Sequence, residues 1–369
     1  MIVLKTAQEK FLNALQAVAG IVERRHTLPI LANVLMRKTG ENLELTTSDL
    51  EIQVRTHAEL GGDSGNFATT VGARKLIDIL RSMPADQIVT LTANQNKLTL
   101  QGGKSRFTLQ TLPGDDFPLV QEAADFGPAF SVPQKTLKGL INQVHFAMAV
   151  HDIRYYLNGI LFVAEGKSLT LVATDGHRLA RFEMPLPDGA KDIPGVIIPR
   201  KAINEMRKLI DEAGDAIEIG LSENRLRFSF DHIALTTKLI DGTFPDYDRV
   251  IPKNNDKVLE VNPAVFASAV DRVSTISSEK SRAVKLTLGG KTMTLSANSP
   301  DSGSASEEIE VRFSAQPMEI GFNSAYLMDV AKQIEGEGCR ISLSDPASPT
   351  IIQDVADASS LYVLMPMRV

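Results

Sequence analysis

The segment ATDGHRLA (173–180) is where this 369-residue chain comes nearest to catalytic chemistry. Asp175, His177 and Arg178 are the residue types that serve as base, acid and anion clamp, which together would suit a hydrolase. That chemistry also needs a nucleophile or a metal, and nothing in the segment supplies either. Strand alternation puts Thr174, Gly176, Arg178 and Ala180 on one face and Asp175, His177 and Leu179 on the other. Positions 175–177 then read as a turn or bulge, and a hydrolase using Asp175 and His177 is the weaker alternative.

Other motifs are weaker still. QGGKS (101–105) looks like the end of a phosphate-binding loop, but Leu98 stands where such a loop needs Gly. Strand-like runs flank it on both sides where a loop of that kind leads into a helix, so a hairpin turn is expected. GGDSG (61–65) reads as a Gly-rich surface loop. His26, His57, His145, His151, His177 and His232 show no ligand spacing. The single cysteine, Cys339, excludes an intrachain disulfide and a cysteine-rich zinc site. No catalytic residue, metal or cofactor is expected.

The elements that must position these residues come as a long repeat. LKTAQEKFLNALQAV from Leu4, FSVPQKTLKGLINQV from Phe130 and LEVNPAVFASAVDRV from Leu259 each read as a strand, a turn and an amphipathic helix. Phe11, Leu12, Leu15 and Val18 carry the helical spacing in the first. Alternating strands follow each helix, at 33–54, 159–182 and 283–299, with Gly in each turn. Second helices are expected near 72–83, 199–210 and 323–334, each followed by a closing hairpin. The fold class is α+β, three copies of one domain, with boundaries expected at 1–122, 128–252 and 256–369.

Composition gives two further constraints. No apolar run approaches the ~18 residues of a membrane span, and the N-terminus lacks a signal-peptide pattern, so a reducing cytoplasm is the expected location. Lys and Arg total 39 against 45 Asp and Glu, a formal charge of −6, which argues against ordinary nucleic-acid binding. The charge is unevenly spread. Six helix windows (5–25, 72–83, 131–151, 199–210, 262–282, 323–334) hold 17 Lys and Arg against 7 Asp and Glu. Basic helices within an acidic remainder fit a backbone-only contact to a polyanion. The hydrophobic C-terminus, LYVLMPMRV (361–369), suggests a Met-lined groove for peptides.

With TLPIL (27–31), RYYLNG (154–159), ATDGHRLA, PRK (199–201), LIDGTFPDYDRVIPK (239–253), EIGFN (319–323) and MPMR (365–368) in order, the whole chain closely resembles the bacterial DNA polymerase III beta subunit, the replicative sliding clamp. The resemblance implies the DNA-clamp fold, a head-to-tail homodimer closed into a ring, and duplex DNA threaded through it without sequence preference. It implies no catalysis and no membrane association. Partners implied are the DNA polymerase III catalytic subunit, the clamp loader, translesion polymerases and mismatch-repair proteins.

The implied DNA-facing residues are Arg25, Lys75, Arg81, Tyr155, Arg200 and Lys201. His151 stands where the family often has Gln, and Arg207 is added from the charge count. For the partner-peptide pocket the matching positions are Arg154, Leu157, Thr174, Gly176, His177, Arg178 and Leu179. Pro245, Arg249, Val250, Asn323 and Tyr326 join them, as do Val363, Met365, Pro366, Met367 and Arg368. Pro349 replaces a Ser found in some members. The implied dimer interface sets Lys75, Arg106, Phe107 and Leu109 against Ile276, Glu307 and Glu308, with strand 105–112 as a pairing edge. Ile276 and Ser281 depart from a Leu or Phe of some members.

Overall fold

The computed structural model describes residues 1–24, 27–120, 126–127, 130–211, 213–278 and 282–369. One order of elements occurs three times: strand, helix, four strands, helix, three strands. The first copy runs β1 (Ile2–Ala7), α1 (Gln8–Ala19), β2 (Asn33–Gly40), β3 (Asn42–Ser48), β4 (Ile52–Ala58), β5 (Gly65–Gly72), α2 (Ala73–Arg81), β6 (Ile88–Asn94), β7 (Lys97–Gly102) and β8 (Ser105–Pro113). The second runs β9 (Phe130–Pro133), α3 (Gln134–Val144), β10 (Gly159–Glu165), β11 (Ser168–Thr174), β12 (Arg178–Pro185), β13 (Ile193–Pro199), α4 (Arg200–Leu209), β14 (Ala216–Leu221), β15 (Arg225–Phe230) and β16 (Ile233–Lys238). The third begins β17 (Lys257–Val261), α5 (Pro263–Ser274), β18 (Ala283–Gly289), β19 (Thr292–Ser299) and β20 (Gly303–Glu310). A two-residue β21 (Arg312–Phe313) is its only addition, before β22 (Met318–Asn323), α6 (Ser324–Ala331), β23 (Cys339–Leu343), β24 (Thr350–Asp354) and β25 (Ser360–Leu364).

The repeat extends to backbone conformation. The first hairpin of each copy turns through a left-handed glycine: Gly40 at φ +63, Gly166 at +61 and Gly290 at +69. A side chain at such a φ is disfavoured, so glycine is the residue that closes the turn cheaply.

Each helix buries one apolar stripe and turns its other face to water. In α2, Ala73, Leu76, Ile77 and Leu80 are buried, while Arg74, Lys75, Asp78 and Arg81 face water. Phe11, Leu15 and Val18 do the same work in α1, each stabilising the fold by about 1.5–3 kcal/mol. The start of α5 is set by Asn262, whose side chain accepts the Val265 N–H, and by Pro263 in the first turn. α1 stops at Gly20, where a Cβ would lie 1.8 Å from Glu205 Oε1.

Three antiparallel sheets result. The largest has twelve strands in the order β1-β6-β7-β8-β5-β2-β3-β4-β16-β15-β14-β9. The second has nine, β13-β10-β11-β12-β25-β24-β23-β17-β21, and the third has four, β20-β19-β18-β22. The chain separates into two compact units, 1–138 with 187–191 and 201–239, and 139–186 with 192–200 and 240–369. The twelve-stranded sheet lies in the first unit and the other two sheets in the second.

Two motifs find structural explanations. QGGKS is the β7–β8 hairpin, with Gly102 opposite Ser105. GGDSG begins a loop laid along the outer edge of β1. Leu60 accepts the Lys5 N–H, Asp63 Oδ2 accepts the Ile2 N–H at 2.7 Å, and Asp63 N–H returns a bond to the Ile2 carbonyl. A Cβ on Gly61 or Gly62 would come within 2.7 Å of β1 carbonyl oxygens. The buried Lys38 ammonium adds bonds to the Val3 and Gly61 carbonyls, at 2.7 and 2.8 Å.

One expectation needs correcting. β8 is not an open edge across 105–112: Thr111, Leu112 and Pro113 pair with Val71, Thr70 and Thr69 of β5. Among the described residues, 105–110 pair with β7 alone, so the edge is that half of the strand, and β20 pairs with β19 alone and ends its sheet.

Candidate functional site

ATDGHRLA forms the β11–β12 turn. Asp175 Oδ1 accepts the backbone N–H groups of His177 (2.9 Å) and Arg178 (3.0 Å), and its Oδ2 accepts Arg178 Nε at 3.2 Å. Thr174 Oγ1 donates to the Arg178 carbonyl and accepts from Gly176 N–H. Both carboxylate oxygens of Asp175 thus hold the turn, and a general-base role has no support. Alternation placed Asp175 and Arg178 on opposite faces; they meet because 175–177 leaves the strand.

Gly176 sits at φ +87, and a Cβ there would lie 3.0 Å from the Arg154 guanidinium. Arg154 belongs to a loop with its own bracing. Asp152 N–H donates to Asn158 Oδ1 and Asn158 Nδ2 to the Asp152 carbonyl, both at 3.0 Å. The Asp152 carboxylate accepts Arg154 Nη2 at 2.8 Å and Nε at 3.0 Å. Hydrogen bonding from Arg154 pulls the Asp152 carboxyl down to about 2. Arg154 Nη2 also reaches the Asp175 carbonyl, at 3.2 Å.

Arg178 is 11% exposed along its side chain and fully engaged. Besides Asp175 it donates to Asp329 Oδ2 at 2.6 Å and to the Phe146 carbonyl at 2.8 Å. Its guanidinium lies 4.2 Å from the Tyr326 ring centre and 5.3 Å from that of Phe146.

Below the turn, Leu179 pairs across strands with Val363. With Leu161, Val172, Ile197 and Leu361 they form a buried apolar floor. Tyr156, Ile240, Phe244, Tyr247 and Ile251 pack partly buried against it, so the rim stays accessible. Pro245, Arg249 and Val250 are exposed beside them, whereas Leu157 is buried and supports the loop from below. The sequence reading missed Leu161, Val172, Phe244 and Tyr247; the alternation of β10 and β11 and the aromatics of FPDY carried that signal.

The C-terminal segment continues this wall. Met365 N–H donates to the His177 carbonyl at 3.0 Å, and Met367 N–H to the Gly321 carbonyl at 2.7 Å. Val369 packs so closely on Gly321 that a Cβ there would lie 2.3 Å away. The backbone is pinned while Met365 and Met367 remain 38% and 39% exposed, beside half-buried Pro366 and exposed Arg368. Met side chains held this way are adaptable apolar contacts on a fixed base. Asn323 plays a local part: its side-chain oxygen caps α6, accepting from Ala325 and Tyr326 N–H. Pro349 offers its carbonyl to Asn255 Nδ2 at 2.9 Å.

The residues expected to face DNA are in different states. Arg25 lies outside the described residues. Lys75 and Arg81 are exposed on α2. Lys201 is paired with Glu23 at 2.7 Å and with Asp49. Burial disfavours its charge, but bonds to Asp49 and Glu23 override this and raise its pKa. Arg200 donates to the Met148 carbonyl at 3.1 Å, and burial lowers the pKa of both Arg200 and Arg207. Tyr155 is exposed, edge-on to Tyr156 at 5.7 Å, and His151 adopts φ +55.

The basic excess expected on the six helices taken together is smaller and unevenly placed. The helices are shorter than the sequence windows and carry 11 Lys and Arg against 5 Asp and Glu. The excess lies on α2, α3 and α4; α1 and α5 are neutral and α6 bears only Asp329.

At the expected interface, Arg106 is exposed and Phe107 and Leu109 are half-buried on β8. Glu307 is held by Arg272 at 2.6 and 2.9 Å, while Glu308 alternates outward and is exposed on β20. Ile276 is half-buried just beyond α5, and Ser281 lies outside the described residues. Among the described residues no three ligating side chains converge as a metal site, and no helix is long and apolar enough to cross a membrane.

Comparison with known proteins accounts for the chain from end to end. Residues 2–121 match the N-terminal domain of the DNA polymerase III beta subunit, 131–246 its central domain and 248–368 its C-terminal domain. The beta sliding clamp of Caulobacter vibrioides is 44% identical over 364 residues, covering 97% of each chain. That of Escherichia coli is 39% identical over 363 residues and 98% of each. Among solved structures, the Bartonella birtlesii sliding clamp bound to griselimycin superimposes with a TM-score of 0.95 at 43% identity, over 99% of both chains. The Pseudomonas aeruginosa DNA polymerase III subunit beta gives 0.94 at 40% identity over the full length of both. Sequence, repeat and fold agree, and the chain belongs to the DNA polymerase III beta subunit family, the beta sliding clamps.

Proposed function

We propose that the chain is a non-catalytic processivity subunit: a clamp that encircles duplex DNA and tethers DNA polymerase III to it. The full-length match to beta sliding clamps, at 39–44% identity, carries this reading. Three clamp domains are assigned to 1–122, 128–252 and 256–369.

The ring is a homodimer closed twice by β8 of one copy against β20 of the other. The open half of β8 and the open β20 are complementary: each has one unpaired row of backbone groups, a row that seeks a strand partner. Exposed Arg106 and Lys75 oppose exposed Glu308, and Phe107 and Leu109 meet Ile276. Two identical contacts close the ring and stop growth into filaments.

Inside the ring, Lys75, Arg81, Arg200 and Arg207, with Tyr155 and His151, meet phosphates and sugars. These contacts are non-directional and renewed at each step, so they steer without holding a sequence. Lys201 braces Glu23 and Asp49 and gives the DNA little. On the partner side, the apolar floor, the turn at 175–177 and the Met365–Arg368 tail form one pocket for short hydrophobic peptides. The polymerase catalytic subunit, the clamp loader, translesion polymerases and mismatch-repair proteins would compete for it. Griselimycin is bound to relatives in solved structures, and we propose that this chain also binds it, in this same pocket.

The deciding experiment loads the chain on nicked circular duplex and then cuts the circle. Retention on the circle followed by loss from the linear product is expected. Binding that survives linearisation would sink the clamp reading.

A further inference from the structure

We propose that Asp329, on α6, is a positioning residue for the peptide pocket, acting through Arg178. The inference rests on the pocket reading above. Four side chains lie in a stack. The His177 ring faces the Tyr326 ring, centres 6.4 Å apart and 26° between planes. The Arg178 guanidinium lies on Tyr326 at 4.2 Å and near Phe146 at 5.3 Å. His177 and Tyr326 are pocket wall, and Arg178 is the layer behind them.

Three acceptors fix that layer. Asp175 is in the same turn as Arg178 and ties the turn to itself. The Phe146 carbonyl holds it from the segment that follows α3. Asp329 Oδ2, at 2.6 Å, ties it to α6. Asp329 is three residues beyond Tyr326, on the same helical face, so one turn of α6 supplies both the ring and the anion that seat Arg178. Without the anion the guanidinium keeps its stacking but loses the contact that sets its distance from α6. His177 is the neighbour of Arg178 in the chain, and its carbonyl holds Met365. A shift of Arg178 therefore moves the turn and the Met365 end of the tail together. Asp329 itself is 40% exposed and Arg178 only 11%, so removing the acid disturbs the pocket more than the helix.

The test measures griselimycin affinity by calorimetry on the full chain and on Asp329→Asn, Asp329→Glu, Arg178→Lys and His177→Ala variants, with melting temperatures for each. Asp329→Asn should bind roughly tenfold more weakly, the loss expected if the binding-ready seat of Arg178 is populated about a tenth as often, with its melting temperature within about 3 °C of the parent because the pair is partly exposed. Asp329→Glu should recover most of the affinity. Adding Asp329→Asn to Arg178→Lys should cost little more, because both act through one contact. Undiminished affinity in Asp329→Asn, with binding lost in His177→Ala, overturns this proposal alone. A parent chain that fails to bind, or binding that His177→Ala leaves untouched, overturns the pocket reading and this proposal with it.

Discussion

At the scale of single residues, the pocket depends on backbone conformations and polar braces. Gly176 is the clearest case. Its φ of +87 disfavours any side chain, and a Cβ would press on the Arg154 guanidinium at 3.0 Å. Gly176→Ala should cost roughly 1–2 kcal/mol of stability from backbone strain. It should also weaken ligand binding, because the methyl group displaces Arg154, which bonds the Asp175 carbonyl at 3.2 Å. Urea unfolding and calorimetry on the same variant test both; unchanged values would mean the turn relaxes freely. Asp152 gives a pH prediction. Its folded pKa is lowered from 3.8 to about 2, first by the Arg154 side-chain hydrogen bond. A carboxyl depressed on folding contributes stability above its unfolded value and loses it as pH falls through the folded one. The Arg154 brace should therefore stay formed until the pH approaches 2, while the stability it contributes declines from 3.8 downward. A carboxyl-carbon NMR titration reads this directly, and a midpoint near 3.8 would count against it. In an Arg154→Met variant the midpoint should return toward that ordinary value.

At the scale of elements, β8 and β20 are the two sides of the proposed ring contact. Phe107 and Leu109 stand opposite Leu100 and Leu98 of β7 on the half of the strand with an open side. Phe107→Asp places a charge in the apolar part of the proposed contact while sparing the paired β7 side. The expected result is a folded chain that sediments at the mass of one copy. A dimer that persists would move the interface elsewhere. This half-edge also marks where sequence reading reached its limit. Alternation in FTLQTL identified the strand, but not that its end, Thr111–Pro113, pairs with β5, because pairing between distant strands leaves no local period. The repeat was legible for the opposite reason: each copy needs the same apolar stripe and the same left-handed glycine, and both are local. The pocket lay between these cases. ATDGHRLA and LYVLMPMR were recognisable separately, yet the Leu179–Val363 pair and the Asp329 contact join residues 184 and 151 apart.

For the whole molecule, the net charge of −6 and the distribution of basic residues set how DNA is held. The positive excess is confined to α2, α3 and α4, and Lys201 is already neutralised within the chain. If these helices line the ring as proposed, they attract phosphate weakly, and residence on DNA then comes from closure of the ring. Salt separates the two contributions. A protein retained by six phosphate contacts loses roughly 10³-fold in affinity between 50 and 200 mM salt. The proposed contact of β8 with β20 rests on backbone pairing and apolar Phe107 and Leu109, and its exposed pairs of Arg106 and Lys75 with Glu308 contribute little, so its salt dependence is shallower. The lifetime on nicked circular duplex should thus change by less than about threefold over that range, while binding to a short linear duplex falls steeply. Dissociation measured on both substrates at several salt concentrations decides it. If release from the circle rises with salt as steeply as release from the linear duplex, phosphate contacts rather than topology hold the clamp.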